Sequence, residues 1–263
     1  MILLFLGDVV GKPGVLAVRT LLPKLIARHS ADLVVVNAEN SEGGAGISGE
    51  SAEALLSAEV NLLTSGNHFW TKRQILPWVE THPDLLLRPA NYPEGTPGRG
   101  HTVIHTPDGR KLGVVNLEGR VFMKSLDDPF RVGARLVEEL RKQTPCILVD
   151  MHCEASSEKN AMGAWLDGKV SAVVGTHTHV QTADERILPG GTAFITDVGM
   201  CGPLDSVIGI KKELSVERFL TQRPTPYEVA KNLVYLQGVV VDIDEKTGKA
   251  RGITRVREHL PGT

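Results

Sequence analysis

The feature that most constrains the fold of this sequence is a recurring short apolar segment that ends in polar side chains. Five segments have the length and apolarity of buried strands and are followed by polar side chains: residues 2–6, 33–36, 60–63, 146–151 and 170–174. Residues 85–87 and 192–197 are predicted as two further strands. Helical patterns lie between several of the strand-like segments, at residues 14–28, 48–58 and 130–142. Because strands that alternate with helices usually pair in parallel, the first half of the sequence predicts βαβ units.

Two later pairs of segments predict antiparallel hairpins. Residues 102–105 and 111–117 flank a Pro-Asp-Gly turn, and residues 233–243 and 250–256 flank a second turn. Parallel units followed by hairpins predict an α/β fold in which a mixed sheet system is covered by helices. The length of 263 residues suits one large domain over residues 1–263, with a small cap or lid insertion at 119–128.

The composition excludes several classes of protein. A formal net charge of -2 gives no electrostatic basis for binding bulk nucleic acid, but it is compatible with a small phosphorylated substrate. The three cysteines form no C-x-x-C pattern, so we expect free thiols and a reducing compartment. The N-terminal segment has no basic region and is too short to span a membrane, so we expect a cytoplasmic protein without a membrane partner. A homo-oligomer stays open.

Polar side chains with metal-binding chemistry follow the five predicted strands. In chain order they are Asp8, Glu39, Asn40, Asn67, His68, His152, His177 and His179. Ligands of open α/β sheets bind beyond the carboxyl ends of the strands, so these side chains converge if their strands are neighbours. His177 and His179 are two residues apart, and in an extended segment both imidazoles would face the same side.

Taken singly, the same residues have structural explanations. Asp8 or Asn40 could cap a helix, Asn67 could belong to a turn, and His152 could be a hydrogen-bonded polar residue. A structural, metal-free domain would need all five strand ends to acquire this chemistry by coincidence. The donor set instead suits manganese, iron or zinc, and the lack of thiolates disfavours a structural zinc site. One carboxylate can bridge two ions, and ions about 3.5–4 Å apart polarise a phosphoryl group.

The motifs resemble those of the calcineurin-like metallophosphoesterases. Gly7-Asp8, Gly66-Asn67-His68, His152 and the segment 175–179 occur in the order found in that superfamily. Residues 7–11 and 37–40 are closer to one bacterial branch, the YmdB-like cyclic-nucleotide phosphodiesterases. The resemblance spans nearly the whole chain. It implies a four-layer αββα fold, in which a mixed β-sandwich flanked by helices carries a dinuclear metal centre at one edge.

The sequence departs from the wider superfamily in each of its first three motifs. Val10 stands where a histidine is usual, and Glu39 stands where an aspartate is usual. Phe69 follows His68, where an acidic residue is frequent. Asn40, beside Glu39, is the natural replacement for the missing histidine, as in the YmdB-like branch.

The resemblance implies a role for each site residue. Three residues hold one metal ion and three hold the other: Asp8, Asn40 and His179 for the first, and Asn67, His152 and His177 for the second. Glu39 bridges the two ions, and His68 is the general acid rather than a ligand. Iron is the implied native metal, with manganese as the alternative.

The implied reaction is hydrolysis of a 2′,3′- or 3′,5′-cyclic nucleotide by in-line attack of a hydroxide that bridges the two metal ions. His68 would protonate or hydrogen-bond the leaving oxygen. Two alternatives stay open: a nucleotide- or RNA-linked regulatory protein with weak phosphoesterase activity, and a phosphomonoesterase. A metal-dependent amidohydrolase fits less well, because its H-x-H motif usually follows the first strand of a barrel, whereas His177 and His179 lie late in this chain.

Overall fold

The computed structural model describes residues 1–263, which form two mixed sheets and six α-helices. The strands are β1 Ile2–Leu6, β2 Asp8–Val9, β3 Leu33–Asn37, β4 Leu62–Thr64, β5 His101–His105, β6 Lys111–Glu118, β7 Ile147–His152, β8 Ala172–Thr176, β9 Arg186–Ile187, β10 Ala193–Ile195, β11 Met200–Pro203, β12 Val234–Ile243 and β13 Ala250–His259. The helices are α1 Gly11–His29, α2 Gly49–Leu56, α3 Leu76–Thr81, α4 Pro129–Leu140, α5 Ser156–Leu166 and α6 Lys212–Thr221, and a 3-10 turn spans Arg73–Ile75.

The strand order brings together the strands that precede the candidate ligands. The first sheet runs β2-β11-β12-β1-β3-β4, with β13 also paired to β12, and the second runs β5-β6-β7-β8-β10-β9. In the first sheet β1, β3 and β4 are parallel neighbours. In the second sheet β7 and β8 are parallel neighbours. The strands that end just before or at the candidate ligands therefore lie side by side within each sheet, which is the adjacency that convergence requires.

Three clusters of buried side chains explain the stacking of the layers. One cluster, which includes Leu22 and Leu55, packs α1 and α2 against the first sheet. A second, which includes Phe5 and Leu148, fills the space between the two sheets. A third, which includes Leu136, packs α4 and α5 against the second sheet. The order helix, sheet, sheet, helix confirms the predicted mixed β-sandwich flanked by helices.

The apolar run of β1 follows from its central position in this stack. Successive strand residues face opposite sides of a sheet. Leu4 and Leu6 accordingly belong to the cluster under the helices, whereas Leu3 and Phe5 belong to the cluster between the sheets. Because both faces are covered, the strand is continuously apolar rather than alternating.

Several elements differ from the predicted ones. The sequence predicts a strand at residues 85–87, but the structure has only isolated bridges there, Leu63 to Leu86 and Leu87 to Arg99. Helix α1 begins at Gly11, ahead of the predicted start at residue 14. The sequence pattern predicts neither α5 nor α6. Helix α6 has no buried residue and therefore no buried apolar face that would indicate a helix.

Two further expectations, free thiols and the lack of a membrane-spanning segment, concern the cysteines and the helices. All three cysteines are free and buried. None of the helices combines the length and the apolarity that crossing a bilayer requires.

Candidate metal centre

His152, the last residue of β7, lies at the centre of the candidate site and is fully buried. Its Nε2 atom is 3.0 Å from Oδ1 of Asn67 and 3.1 Å from Nδ1 of His177. The same nitrogen is 3.2 Å from Oε1 of Glu39. Potential ligand atoms from four segments of the chain therefore surround one point. The donor atoms of Glu39, His152 and His177 all lie within 4.8 Å of one another.

A second group of contacts surrounds His179. Its Nε2 atom is 3.0 Å from the side-chain amide of Asn40 and 3.8 Å from Oδ1 of Asp8. The Asn40 amide is also 3.1 Å from Oε1 of Glu39. Glu39 thus contacts one member of each predicted ligand set, Asn40 in the first and His152 in the second. Asp8 lies between the sets, because Oδ1 is also 3.8 Å from Nδ1 of His152.

The donor chemistry of the site fits transition-metal ions. Oδ1 of Asp8 is buried and has no hydrogen-bond partner. A carboxylate oxygen that is removed from water without a partner is strongly disfavoured, so this atom needs a cation or a proton. Asn40 presents its amide nitrogen to Glu39 and His179, and rotation of the amide by half a turn would present Oδ1 at the same place.

In His152 and His179, the ring nitrogen that points away from the site has a hydrogen-bond partner, and this partner determines which nitrogen faces the site. Nδ1 of His152 is 2.9 Å from the Thr176 hydroxyl, which itself donates to Asp150 at 2.7 Å. The hydroxyl oxygen therefore accepts the Nδ1 hydrogen, so in the neutral imidazole, the form that binds a metal, the lone pair is on Nε2 and faces the site. Nδ1 of His179 likewise lies 2.8 Å from the carbonyl of Ile208. Such partners orient metal-binding imidazoles and fix their tautomers.

His177 is oriented in the opposite sense. Its Nε2 atom lies 3.1 Å from Oε2 of Glu154, so Nδ1 faces Nε2 of His152 at 3.1 Å. Two unprotonated ring nitrogens at this separation would repel each other unless a proton or a metal ion lies between them. This arrangement is a second observation that fits a bound cation.

The backbone of the H-x-H segment is not extended, so the expected strand alternation is wrong. Strand β8 ends at Thr176, and His177 and His179 have φ values of 103° and 64°. Non-glycine residues seldom adopt positive φ, and such strain persists only where surrounding contacts fix it. The imidazoles converge because the chain turns sharply after the strand, and not because alternate residues of an extended strand face the same side.

Contacts on either side of the turn hold this strained segment. The amide of His177 donates to Oδ2 of Asp8 at 3.2 Å. The amide and hydroxyl of Thr178 both donate to Oδ2 of Asp197, at 3.0 and 2.8 Å. Asp197 in turn pairs with the buried Lys159. Asp197 is the last residue of a segment that the sequence predicts as a strand, and a polar residue in that place indicates a candidate site residue. Nothing in the sequence indicates the role of Lys159.

Glu39 and His152 shift each other's pKa in opposite directions. Burial alone would lower the pKa of His152, but the nearby carboxylates, Glu39 foremost and then Asp8 and Asp150, together outweigh burial and raise it to about 9. The same pairing lowers the pKa of Glu39, against the effect of burial. Burial and the charge of His152 lower the pKa of His177 to about 3, which leaves it neutral and able to bind a metal.

His68 lies beside the cluster but outside it. Its backbone amide donates to Oε2 of Glu39 at 3.2 Å, and its side-chain Nδ1 is 3.2 Å from the hydroxyl of Thr71. The half-buried imidazole is not among the side-chain donors that surround His152 and His179. Burial lowers the pKa of His68, although Glu39 partly opposes this effect. The imidazole is therefore neutral near pH 7.

Comparisons with known proteins give the same assignment as the motifs. A family model described as YmdB-like protein matches residues 4–256. A 2′,3′-cyclic-nucleotide 2′-phosphodiesterase from Bacillus subtilis is 47% identical over 256 residues, which are 97% of this chain and 96% of that protein.

Two solved structures share the fold over nearly the full length of both chains. A hypothetical protein from Thermus thermophilus has a TM-score of 0.93 and 41% identity, covering 99% of this chain and 100% of its own. A novel phosphatase from Mycoplasma pneumoniae has a TM-score of 0.90 and 38% identity, covering 98% of this chain and 93% of its own. On this evidence the chain belongs to the YmdB-like protein family.

Proposed function

We propose that this chain is a dinuclear-metal phosphodiesterase that hydrolyses cyclic nucleotides, with 2′,3′-cyclic nucleotides as the first substrate class and 3′,5′-cyclic nucleotides as the second. The observation that carries the proposal is the contact of Glu39 with both predicted ligand sets, through Asn40 and through His152. The name of the Bacillus subtilis relative supports the substrate class. Residues 1–263 act as one domain in this proposal, because both sheets supply ligands to the same centre.

The two metal ions would be held as the motifs imply. Asp8, Asn40 and His179 would bind one ion, Asn67, His152 and His177 the other, and Glu39 would contact both. Bound iron or manganese would supply a nucleophile from water near neutral pH and neutralise charge on the phosphoryl group. The partners of the ring nitrogens, Thr176 and Ile208, keep the ligand nitrogens of His152 and His179 directed at the site.

His68 would act on the leaving oxygen of the ester. Its imidazole is neutral near pH 7, so it keeps one N–H group, and that hydrogen lies on Nε2 when Nδ1 accepts from the Thr71 hydroxyl. A neutral imidazole can donate this hydrogen bond to the oxygen on which charge develops, and the group then completes proton transfer as the bond breaks. Groups in this role typically contribute ~10²–10⁴ in rate.

The test of this role uses His68→Ala and His68→Gln in the metal-loaded protein. Both variants should keep two ions per chain and lose turnover of 2′,3′-cyclic AMP by ~10²–10⁴, with Gln retaining more because it still donates a hydrogen bond. Wild-type turnover in both variants would contradict the role. Loss of metal in both would instead place His68 among the ligands.

A phosphomonoesterase is the second candidate, because the structurally similar protein from Mycoplasma pneumoniae is described as a phosphatase. A regulatory role with weak hydrolysis is the third. A panel of bis-p-nitrophenyl phosphate, 2′,3′-cyclic AMP, 3′,5′-cyclic AMP and p-nitrophenyl phosphate separates them. Diester turnover supports the proposal, monoester-only turnover supports a phosphatase, and submicromolar nucleotide binding with slow turnover supports regulation.

A further inference from the structure

Residues 119–128, between β6 and α4, form a closed loop without helix or strand. The side chain of Asn91 holds its two ends together, and Arg120 also pairs with Asp128 across the neck at 3.0 Å. The amide of Asn91 donates to the carbonyl of Glu118 at 2.8 Å and to that of Asp127 at 3.0 Å. The backbone amide of Asp127 donates back to the carbonyl of Asn91 at 3.0 Å. Loops with a narrow neck of this kind are compact and frequently functional.

Two contacts attach this loop to the predicted metal centre. At its start, the amide of Gly119 donates to the carbonyl of His152 at 2.9 Å. Further along, the ammonium of Lys124 donates to the carbonyl of Asn67 at 2.9 Å and to the hydroxyl of Tyr92 at 3.1 Å. His152 and Asn67 belong to the same predicted ligand set. The loop therefore spans the rim of the site on the side of the second ion.

Phe122 lies midway between these two attachments. Its side chain is 90% exposed, and its φ is 61°. The amide of Met123 donates to the carbonyl of Arg120 at 3.2 Å, so Phe122 is the third residue of a tight turn. A positive φ at this position favours glycine or asparagine, and a large aromatic ring gains nothing from water. Because phenylalanine is disfavoured here both by the positive φ and by the exposure of its ring, we infer that Phe122 serves a function other than folding.

We propose that Phe122 is the surface on which the nucleobase of the substrate stacks while its phosphate occupies the metal centre; this inference rests on the proposed function. Phe122 is two residues from Lys124, so their Cα atoms are at most about 7 Å apart. The Lys124 contact with Asn67 thus tethers the turn that carries Phe122 beside the centre. Stacking on an aromatic face tolerates every base, so the chain would accept purine and pyrimidine cyclic nucleotides.

The test compares substrates with and without a base. Phe122→Ala should raise KM for 2′,3′-cyclic AMP about 5- to 150-fold with kcat nearly unchanged, because stacking is a binding interaction that is retained in the transition state. KM for glycerol 1,2-cyclic phosphate, which has no base, should not change. Phe122→Trp should keep the wild-type KM for the nucleotide, and Val121→Ala is the matched control in the same loop.

Phe122→Gly separates the ring from the strain of the backbone. It should reproduce the KM of Phe122→Ala while raising thermal stability, because glycine adopts positive φ without strain. Equal effects on both substrates, or an unchanged KM for 2′,3′-cyclic AMP, would overturn the role of Phe122 alone. A wild-type protein that is loaded with two ions and cleaves neither cyclic ester would overturn the proposed function together with this role.

Discussion

The ammonium of Lys159 lies 2.7 Å from the carboxylate of Asp197, and both side chains are buried. The same carboxylate accepts hydrogen bonds from the amide and hydroxyl of Thr178. Thr178 lies between His177 and His179, so the buried ion pair supports the turn that directs both imidazoles at the site. A charge in α5 thereby contributes to the geometry of a centre that it does not enter.

Replacing Lys159 with methionine should destabilise the fold and loosen the H-x-H turn. Removal of one member of a buried ion pair leaves the other charge without compensation, which costs about 3–5 kcal/mol. Urea denaturation measures this loss. The matched control is Lys142→Met at an exposed position, where the expected change is within about 0.5 kcal/mol. A Lys159→Met variant as stable as the control would show that the pair does not stabilise the fold.

The sequence predicts the candidate ligands because each follows an apolar strand, where a polar side chain is conspicuous. Asp8, Glu39 and His152 all have this signal. The residues that support the site from outside it, such as Lys159, lack this signal in the sequence. A lysine in a helix is ordinarily exposed, so nothing in the local pattern indicates that Lys159 is buried. The positive φ values of His177 and His179 depend on contacts with Asp8 and Asp197 that arise only from tertiary packing.

The hydroxyl of Thr176 should matter for metal affinity. It accepts from Nδ1 of His152 and donates to Asp150, so Thr176→Val removes the bond that fixes the tautomer of His152. Loss of such a partner typically lowers metal affinity about 10–100-fold. Chelator competition measures the change, with Thr102→Val on β5 as the control. A metal affinity within about twofold of wild type would contradict the orienting role.

Gly66 should tolerate no side chain. A Cβ atom there would overlap the imidazole of His152 and the carboxylate of Glu39. Gly66→Ala should therefore displace these two groups and abolish retention of metal after dialysis. Gly252→Ala is the control, because a Cβ at Gly252 meets no other atom. Elemental analysis that finds normal metal content in Gly66→Ala would mean that the centre adapts to the added methyl group.

Glu39 should be required for both ions. Its carboxylate lies 3.1 Å from the Asn40 amide of one ligand set and 3.2 Å from Nε2 of His152 in the other, and Glu39→Ala removes both contacts together. We expect loss of bound metal as well as of turnover, measured by elemental analysis of the purified variant. Retention of two ions per chain would contradict bridging by this carboxylate.

Phosphorus NMR of the wild-type protein, loaded with two iron or manganese ions per chain, follows the fate of 2′,3′-cyclic AMP and decides whether the chain is a cyclic-nucleotide phosphodiesterase. We expect conversion of the cyclic ester to an adenosine monophosphate, with turnover lost when the metal is removed. A loaded protein that leaves 2′,3′- and 3′,5′-cyclic AMP intact and hydrolyses only phosphomonoesters would contradict the proposed function.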